Sequence, residues 1–269
     1  IIKKIYERWI DVPGIQYIEV SPKEAAAGKL LANYILFNRL ANCFGVVGRV
    51  SEYFDGIRFE ELRKILTSDP RIGSWGWYDS LYAGGSCFMK DAASLAHQME
   101  AKGADAKMVR LTAETNNYQL RAFYKSIKES GFNPMGKTVA LLGAAFKQGT
   151  NDIRSSGAVE IAKMFLKDGV KKIKVYDPVA SGEFAEYFAQ TGKTKIEIVE
   201  SFETVFDGAN LTCIATDWQE FKGMVELFKK KVKAPHIIAD GRRMWAREAP
   251  ELQKLGFTYI AVGSPLGTK

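Results

Sequence analysis

The sequence predicts two folds in series: an all-α segment over residues 1–133, then an α/β segment with a doubly wound parallel sheet over residues 134–269. Three observations carry this expectation. The first half holds long helical stretches without strand-like runs. The second alternates short apolar runs with amphipathic stretches, as a parallel sheet requires. Gly131 and Pro134 punctuate the join, placing the boundary near Asn133 to Gly136.

Taken in order, Ile1-Ile2-Lys3-Lys4 opens without a turn or cap, and the first residue is not Met. We expect a longer chain that was cut or only partly supplied. Ser21-Pro22-Lys23-Glu24 offers an N-cap, a proline at the first helical position and a glutamate to answer the cap. A long Ala/Leu-rich helix is expected from there to about Tyr53, then a shorter one over Phe59 to Thr67, ended by Asp69-Pro70. The stretch from Gly73 to Ser86 is rich in turns and aromatics. Helices resume over Lys90 to Ala101 and Asp105 to Ser130.

In the second half, strands are expected at Thr138–Leu142, Lys174–Tyr176, Lys195–Val199, Leu211–Ile214, His236–Ala239 and Phe257–Ala261. Helical stretches separate several of them, notably Ser156 to Lys167 and Trp218 to Lys231. Gly131-Phe132-Asn133-Pro134-Met135-Gly136-Lys137-Thr138 fits the pattern of a phosphate-binding loop. That loop works only between a strand and a following helix. Here a helix ends and a strand begins, and Pro134 removes a needed N–H. The match is a domain junction.

Composition narrows the classes. Hydrophobic residues make up 46% and charged residues 26%, the range of soluble globular proteins. No uninterrupted apolar run reaches the roughly 20 residues of a membrane span, so no membrane partner is expected. The net charge of +7 is spread along the chain, apart from short clusters such as Lys229-Lys230-Lys231. No basic stripe interleaved with aromatics marks a nucleic-acid groove; a site for one phosphate-bearing ligand accounts for the excess. Cys43, Cys87 and Cys213 make no disulfide framework and lack metal-ligand spacing, so no metal is expected. A reducing cytoplasm suits them. His97 and His236 are the only histidines, which leaves little for a His-centred triad.

Gly84-Gly85-Ser86-Cys87-Phe88-Met89-Lys90-Asp91 is the most informative segment. Two glycines let backbone approach a ligand closely. Cys87 sits where a helix starts, and a helix N-terminus favours a thiolate. Asp91 follows one turn later on the same face. The alternative is a small buried cysteine after a glycine turn. Lys29 and Asn33 form a second pair at four-residue spacing in the long helix, and Lys29 either faces solvent or points inward. The third element runs from Gly143 through Phe146, Lys147 and Arg154 to a helix capped by Ser155 or Ser156. A crossing at the carboxyl end of a strand is where open α/β sheets bind ligands, and Lys147 and Arg154 are suited there to phosphates or a uracil. The G-x-G-x-x-G fingerprint is absent, so this sheet is not expected to hold NAD in the standard way.

Together these elements resemble the UDP-glucose/GDP-mannose 6-dehydrogenase family, in order and over nearly the whole chain. The resemblance rests on the Ser21 to Ala25 opening with Lys29 and Asn33, on Asp69-Pro70-Arg71-Ile72-Gly73 and on Gly84 to Asp91. It rests also on Phe146-Lys147 to Arg154-Ser155, on Tyr176-Asp177-Pro178 and on Asp240-Gly241-Arg242-Arg243. It implies a central helical dimerisation domain, followed by a Rossmann-like UDP-binding domain. The family's N-terminal NAD-binding domain is not among these residues. It implies Cys87 as nucleophile, with Lys29, Asn33 and Asp91 as catalytic partners. Arg71, Tyr82, Gly84, Lys147 and Arg242 match substrate contacts, Arg71 reaching the partner subunit's substrate. Arg154 matches a residue that touches NAD. A UDP-sugar and a homodimer formed through the long helix are the implied partners.

The implied reaction is a two-step, NAD-dependent oxidation of UDP-glucose to UDP-glucuronate through a Cys87 thiohemiacetal and thioester. GDP-mannose and UDP-N-acetylhexosamine are the alternative substrates, and a non-catalytic, dimerising UDP-sugar module is the alternative class. The Lys90-Asp91 ending favours UDP-glucose over the acetamido sugars. Two departures stand out: Tyr82-Ala83 precedes the glycines where the family has glycine and an aromatic, and Met89 replaces the usual proline.

Overall fold

The computed structural model describes residues 1–10, 12–78, 80–192 and 195–263. Up to Glu129 every regular element is helical. Helices α1 (Ile2–Ile5) and α2 (Glu7–Ile10) are single turns that bury nothing. Helix α3 (Pro22–Asn42) starts at the expected capping box: Ser21 Oγ accepts from the Glu24 N–H, and the Glu24 carboxylate accepts from the Ser21 N–H.

The single helix expected to Tyr53 is interrupted. Cys43–Gly48 forms a π-helical turn, and α4 (Arg49–Tyr53) completes the run. The wide turn brings Gly45 against Thr115, whose Cγ2 would stand 2.6 Å from a Cβ at that position. Such turns recur at functional sites, and this one carries Phe44 into the cavity described below.

Helix α5 (Phe59–Ser68) stops at Asp69-Pro70 as expected. Helices α6 (Phe88–Glu100) and α7 (Lys107–Glu129) follow. Phe37, Leu40 and Phe44 from the first run pack with Ala92 and Ala96 of α6 and Val109 of α7.

The run Pro22–Tyr53 is long and apolar enough to cross a membrane by length and composition, with a mean hydropathy of 1.3 over its most apolar stretch. Lys29, Asn33, Asn38 and Arg39 interrupt it, so it passes on its average and not as an unbroken apolar run. Only 28% of that stretch is buried, and Leu31, Ile35 and Val46 stand exposed on it.

The second half is an open parallel sheet. Its elements are β1 (Thr138–Leu142), α8 (Gly157–Lys167), β2 (Lys172–Tyr176), α9 (Ser181–Gln190), β3 (Ile196–Ile198), α10 (Phe202–Val205), β4 (Leu211–Ile214), α11 (Gln219–Gly223), α12 (Val225–Lys231), β5 (Ile237–Asp240), α13 (Ala249–Lys254) and β6 (Thr258–Ala261). The strand order is β3-β2-β1-β4-β5-β6 with every pairing parallel. All six strands fall where the sequence places them, within two residues. The Trp218–Lys231 stretch divides at Met224 into two short helices. Ser156, of the two candidate serines, is the cap, accepting from the Val159 N–H at 3.0 Å.

Apolar side chains fill both faces of the sheet. Phe165, Phe184 and Phe188 pack on one face together with Phe123 and Ile127 of α7. Phe221, Phe228, Trp245 and Leu252 pack on the other. The order reverses between β1 and β4, so a crevice opens at their carboxyl ends. The helical half reaches that same edge: the Leu81 N–H donates to the carbonyl of Gly241, just beyond β5, at 2.8 Å. Tyr124 and Lys128 of α7 both bind the Asp168 carboxylate at the end of α8, and Ser51 Oγ donates to the Gly263 carbonyl.

Candidate active site

The loop that precedes α6 is held from two sides. From α7, Gln119 donates to the Ser80 carbonyl, and Asn116 both accepts from the Ala83 N–H at 2.8 Å and donates to its carbonyl at 3.1 Å. Asn116 is fully buried. From the sheet, the Gly85 N–H donates to the Ser155 carbonyl at 3.3 Å. A Cβ on Gly84 would lie 2.6 Å from that same oxygen, and one on Gly85 3.1 Å from the Phe146 ring. Gly85 takes a φ of +93°, and Ser155, unusually for a non-glycine residue, one of +50°. Gly84 is therefore required by contact with another stretch of backbone, and Gly85 by its positive φ and the Phe146 ring.

Fixed in this way, the loop delivers Cys87 to the N-cap of α6, exposed to solvent. The Asp91 N–H donates to the Cys87 carbonyl at 2.8 Å, so the two share the first turn. The Asp91 side chain is buried, and its Oδ2 accepts from Lys29 Nζ at 2.7 Å and from Asn33 Nδ2 at 2.6 Å. The hydrogen bond from Lys29 holds the Asp91 carboxyl below the usual carboxylate range, with Asn33 adding to the effect. The same bond raises Lys29 above the ordinary lysine value. Lys29 is 62% exposed along its side chain, so it neither points freely into solvent nor enters the core; it lies along the surface between α3 and α6. Lys29 and Arg154 are both close enough to interact electrostatically with Cys87.

A cavity of about 320 Å³ is lined by Gly84 and Phe88, on either side of Cys87 in the chain, while Cys87, Lys29, Asn33 and Asp91 are not among its lining residues. Tyr82, Gly84, Lys147 and Arg242 border it, with an aromatic wall of Phe44, Trp75, Phe88 and Phe146. Tyr78 and Arg242 also border a second cavity, of about 530 Å³, that extends over the β4 and β5 ends toward Glu60, Lys222 and Arg247. Arg242 is held by Asp217 at 2.7 Å. Burial raises the Tyr82 hydroxyl above the ordinary tyrosine value, and Glu160 on α8 adds to the effect.

Four of the expected substrate residues thus meet at one cavity. Arg71 does not join them: it lies exposed, doubly bonded to Asp69. Arg154 is likewise exposed and bonded to Asp152. Cys43 and Cys213 are buried, and burial pushes the Cys213 thiol far up, which leaves Cys87 as the accessible thiol. Among the described residues, no group of three His, Cys, Asp or Glu side chains is placed to hold a metal ion. Sequence reasoning missed Asn116, although Val109, Thr112, Asn116 and Phe123 recur at helical spacing. A polar residue inside such an apolar stripe was the available signal.

Two family models match the chain. Residues 23–118 match the central domain of the UDP-glucose/GDP-mannose dehydrogenase family, and residues 140–247 match that family's UDP binding domain. A UDP-glucose 6-dehydrogenase from Gallus gallus is 31% identical over 98% of the chain, and one from Bacillus subtilis is 33% identical over 89%. The chain spans 55% and 49% of those two proteins, about half the length of the curated relatives it matches. In fold it is similar to a UDP-glucose dehydrogenase from Pyrobaculum islandicum, with a TM-score of 0.82 at 24% identity over 98% of this chain and 55% of that one.

Proposed function

We propose a function for a chain that belongs to the UDP-glucose/GDP-mannose dehydrogenase family: it supplies the nucleophile and the UDP-sugar site for oxidation of UDP-glucose to UDP-glucuronate. The observation that carries this reading is the exposed Cys87 thiol at a helix N-cap, one turn from the Asp91–Lys29–Asn33 cluster and beside the cavity lined by Lys147 and Arg242. The division at residues 133/134 separates the two parts, a catalytic helical domain and a UDP-binding domain.

NAD, when bound, supplies the hydride acceptor for each of the two oxidations at C6. Within this chain the residue suited to it is Arg154, an exposed cation on the Cys87 side, fit for a pyrophosphate. The remaining chemistry falls to the chain's own groups. The Cys87 thiolate adds to the C6 aldehyde, giving a thiohemiacetal whose oxyanion is stabilised by the Lys29 ammonium and the Asn33 amide. After the second oxidation the C6 carbon is a thioester. Asp91, kept ionised by Lys29, orients and deprotonates the water that attacks it. The sulfur then leaves as thiolate and the carboxylate is released. Lys147, Arg242, Tyr82 and Gly84 hold the nucleotide sugar, with Arg71 reaching the site of the second subunit.

The exposed face of Pro22–Tyr53 is the homodimer surface in this reading. Leu31, Ile35 and Val46 supply the apolar area, which assigns the hydrophobic run to a protein partner, with no membrane or nucleic acid involved. Three cysteines outside any disulfide suit a cytoplasmic protein. Calorimetric titration of the chain with UDP-glucose, UDP-N-acetylglucosamine and GDP-mannose tests the assignment. Tightest binding of UDP-glucose is expected; preference for GDP-mannose or for the acetamido sugar reassigns the substrate. Binding without turnover by the complete protein leaves a UDP-sugar-binding module.

A further inference from the structure

The N–H groups that follow the first strand of an open parallel sheet, at the point where strand order reverses, ordinarily serve a ligand's phosphate. Here that position lies after β1, at Gly143-Ala144-Ala145, between β2 and β4. Asp177, the residue after β2, fills it. Its Oδ2 accepts from the Ala144 N–H at 2.7 Å, the Ala145 N–H at 3.2 Å and Trp218 Nε1 at 2.9 Å. Its Oδ1 accepts from the Val179 and Ala180 N–H groups at 2.9 and 2.7 Å. These five donors are all neutral, and they enclose a carboxylate that is 4% exposed. A concave set of N–H groups of this kind is an anion nest.

The nest is built into the loop it serves. Gly143 turns with a φ of +90° and lies against Thr216, whose hydroxyl donates to the Ala145 carbonyl at 2.7 Å. Ala145 is therefore held at its N–H by Asp177 and at its carbonyl by Thr216. The next residues are Phe146, whose ring rests on Gly85, and Lys147, which borders the cavity beside Cys87.

We infer that Asp177 is a resident anion: it closes this sheet's own phosphate crevice and, through Ala144 and Ala145, positions Phe146 and Lys147 against the nucleotide sugar. Asp177 is a positioning residue and touches no substrate. Its role rests on the reading above that Lys147 meets the UDP-sugar.

The test replaces the carboxylate and then returns it. In the Asp177→Ala chain, the Kd for UDP rises about tenfold by calorimetry. Sodium formate, compared with sodium chloride at equal ionic strength, refills the nest. It restores UDP affinity toward the wild-type value and raises the melting temperature of this variant but not of the wild type. Asp177→Asn keeps the volume, so it too binds UDP several-fold more weakly by loss of acceptors, and formate does not help it. If Asp177→Ala does not fold, Asp177→Asn decides by its affinity alone. Unchanged UDP affinity in either folded variant overturns the positioning role. Formate acting on Asp177→Ala no more than chloride does overturns the nest. A wild-type chain that ignores UDP instead refutes the substrate reading, and the formate-dependent melting still judges the nest separately.

Discussion

Lys29 Nζ lies 2.7 Å from Asp91 Oδ2, and this bond fastens α3 to α6 one turn after Cys87. Two residues 62 positions apart in sequence thereby become neighbours of the same thiol. The bond keeps Asp91 ionised and leaves the other ammonium hydrogens of Lys29 available for an oxyanion.

Lys29→Ala separates the two consequences. Because the lysine is largely exposed, loss of the ion pair changes stability little, as read by urea denaturation. Acid formation by the complete protein falls on the order of 10²- to 10³-fold, as for removal of an oxyanion-stabilising group. A large stability loss with unchanged turnover would make the pair structural.

How much of this arrangement was legible in sequence depends on the range of the contact. The Ser21–Glu24 capping box, the Ser156 cap and six apolar strands are local patterns, and they lie where the sequence predicts. Helix α9 escaped notice because its burial depends on two aromatics, Phe184 and Phe188, in an otherwise polar stretch. The π-helical turn at Cys43–Gly48 answers to Thr115, some 70 residues away. The site divides in the same way. Gly84 and Gly85 announce a close approach, but nothing local names Ser155 as the group approached. The Lys29–Asp91 bond and the Asn116 clamp are likewise products of helix packing.

The Gly84 contact makes its own prediction. In Gly84→Ala the new methyl group meets the Ser155 carbonyl oxygen at 2.6 Å, and main chain on both sides has to shift. A stability loss of about 1–3 kcal/mol is expected, with weaker UDP binding because the loop carries one edge of the cavity. Gly182→Ala in α9 is the control: nothing lies within 4 Å of its Cβ, and helix propensity predicts a gain of a few tenths up to about 1 kcal/mol. Chemical denaturation of both variants checks the pair.

Acid sensitivity has a definable source in His236. Burial lowers its pKa from 6.5 to about 4, and its Nε2 meets Thr212 Oγ1 at 3.0 Å. The unfolded chain binds the proton first, so the contribution of His236 to stability is full above about pH 6.5 and declines as pH falls toward about 4. Between about pH 7 and about pH 5 the loss is about 2 kcal/mol. Urea midpoints for the wild type and His236→Gln at both pH values check this: the difference between the two proteins should change by that amount.

The apolar face of α3 is tested by Ile35→Glu. Ile35 is 61% exposed and Leu31 44%, so a charge there costs the isolated chain little. Sedimentation velocity should show a dimer for the wild type and a monomer for the variant, with circular dichroism unchanged. A monomeric wild type would remove the assignment of this face.

In the complete protein supplied with UDP-glucose and NAD, Cys87→Ala should form no UDP-glucuronate by mass spectrometry while still binding UDP-glucose with near wild-type affinity by calorimetry. UDP-glucuronate formed at the wild-type rate by Cys87→Ala would contradict the account.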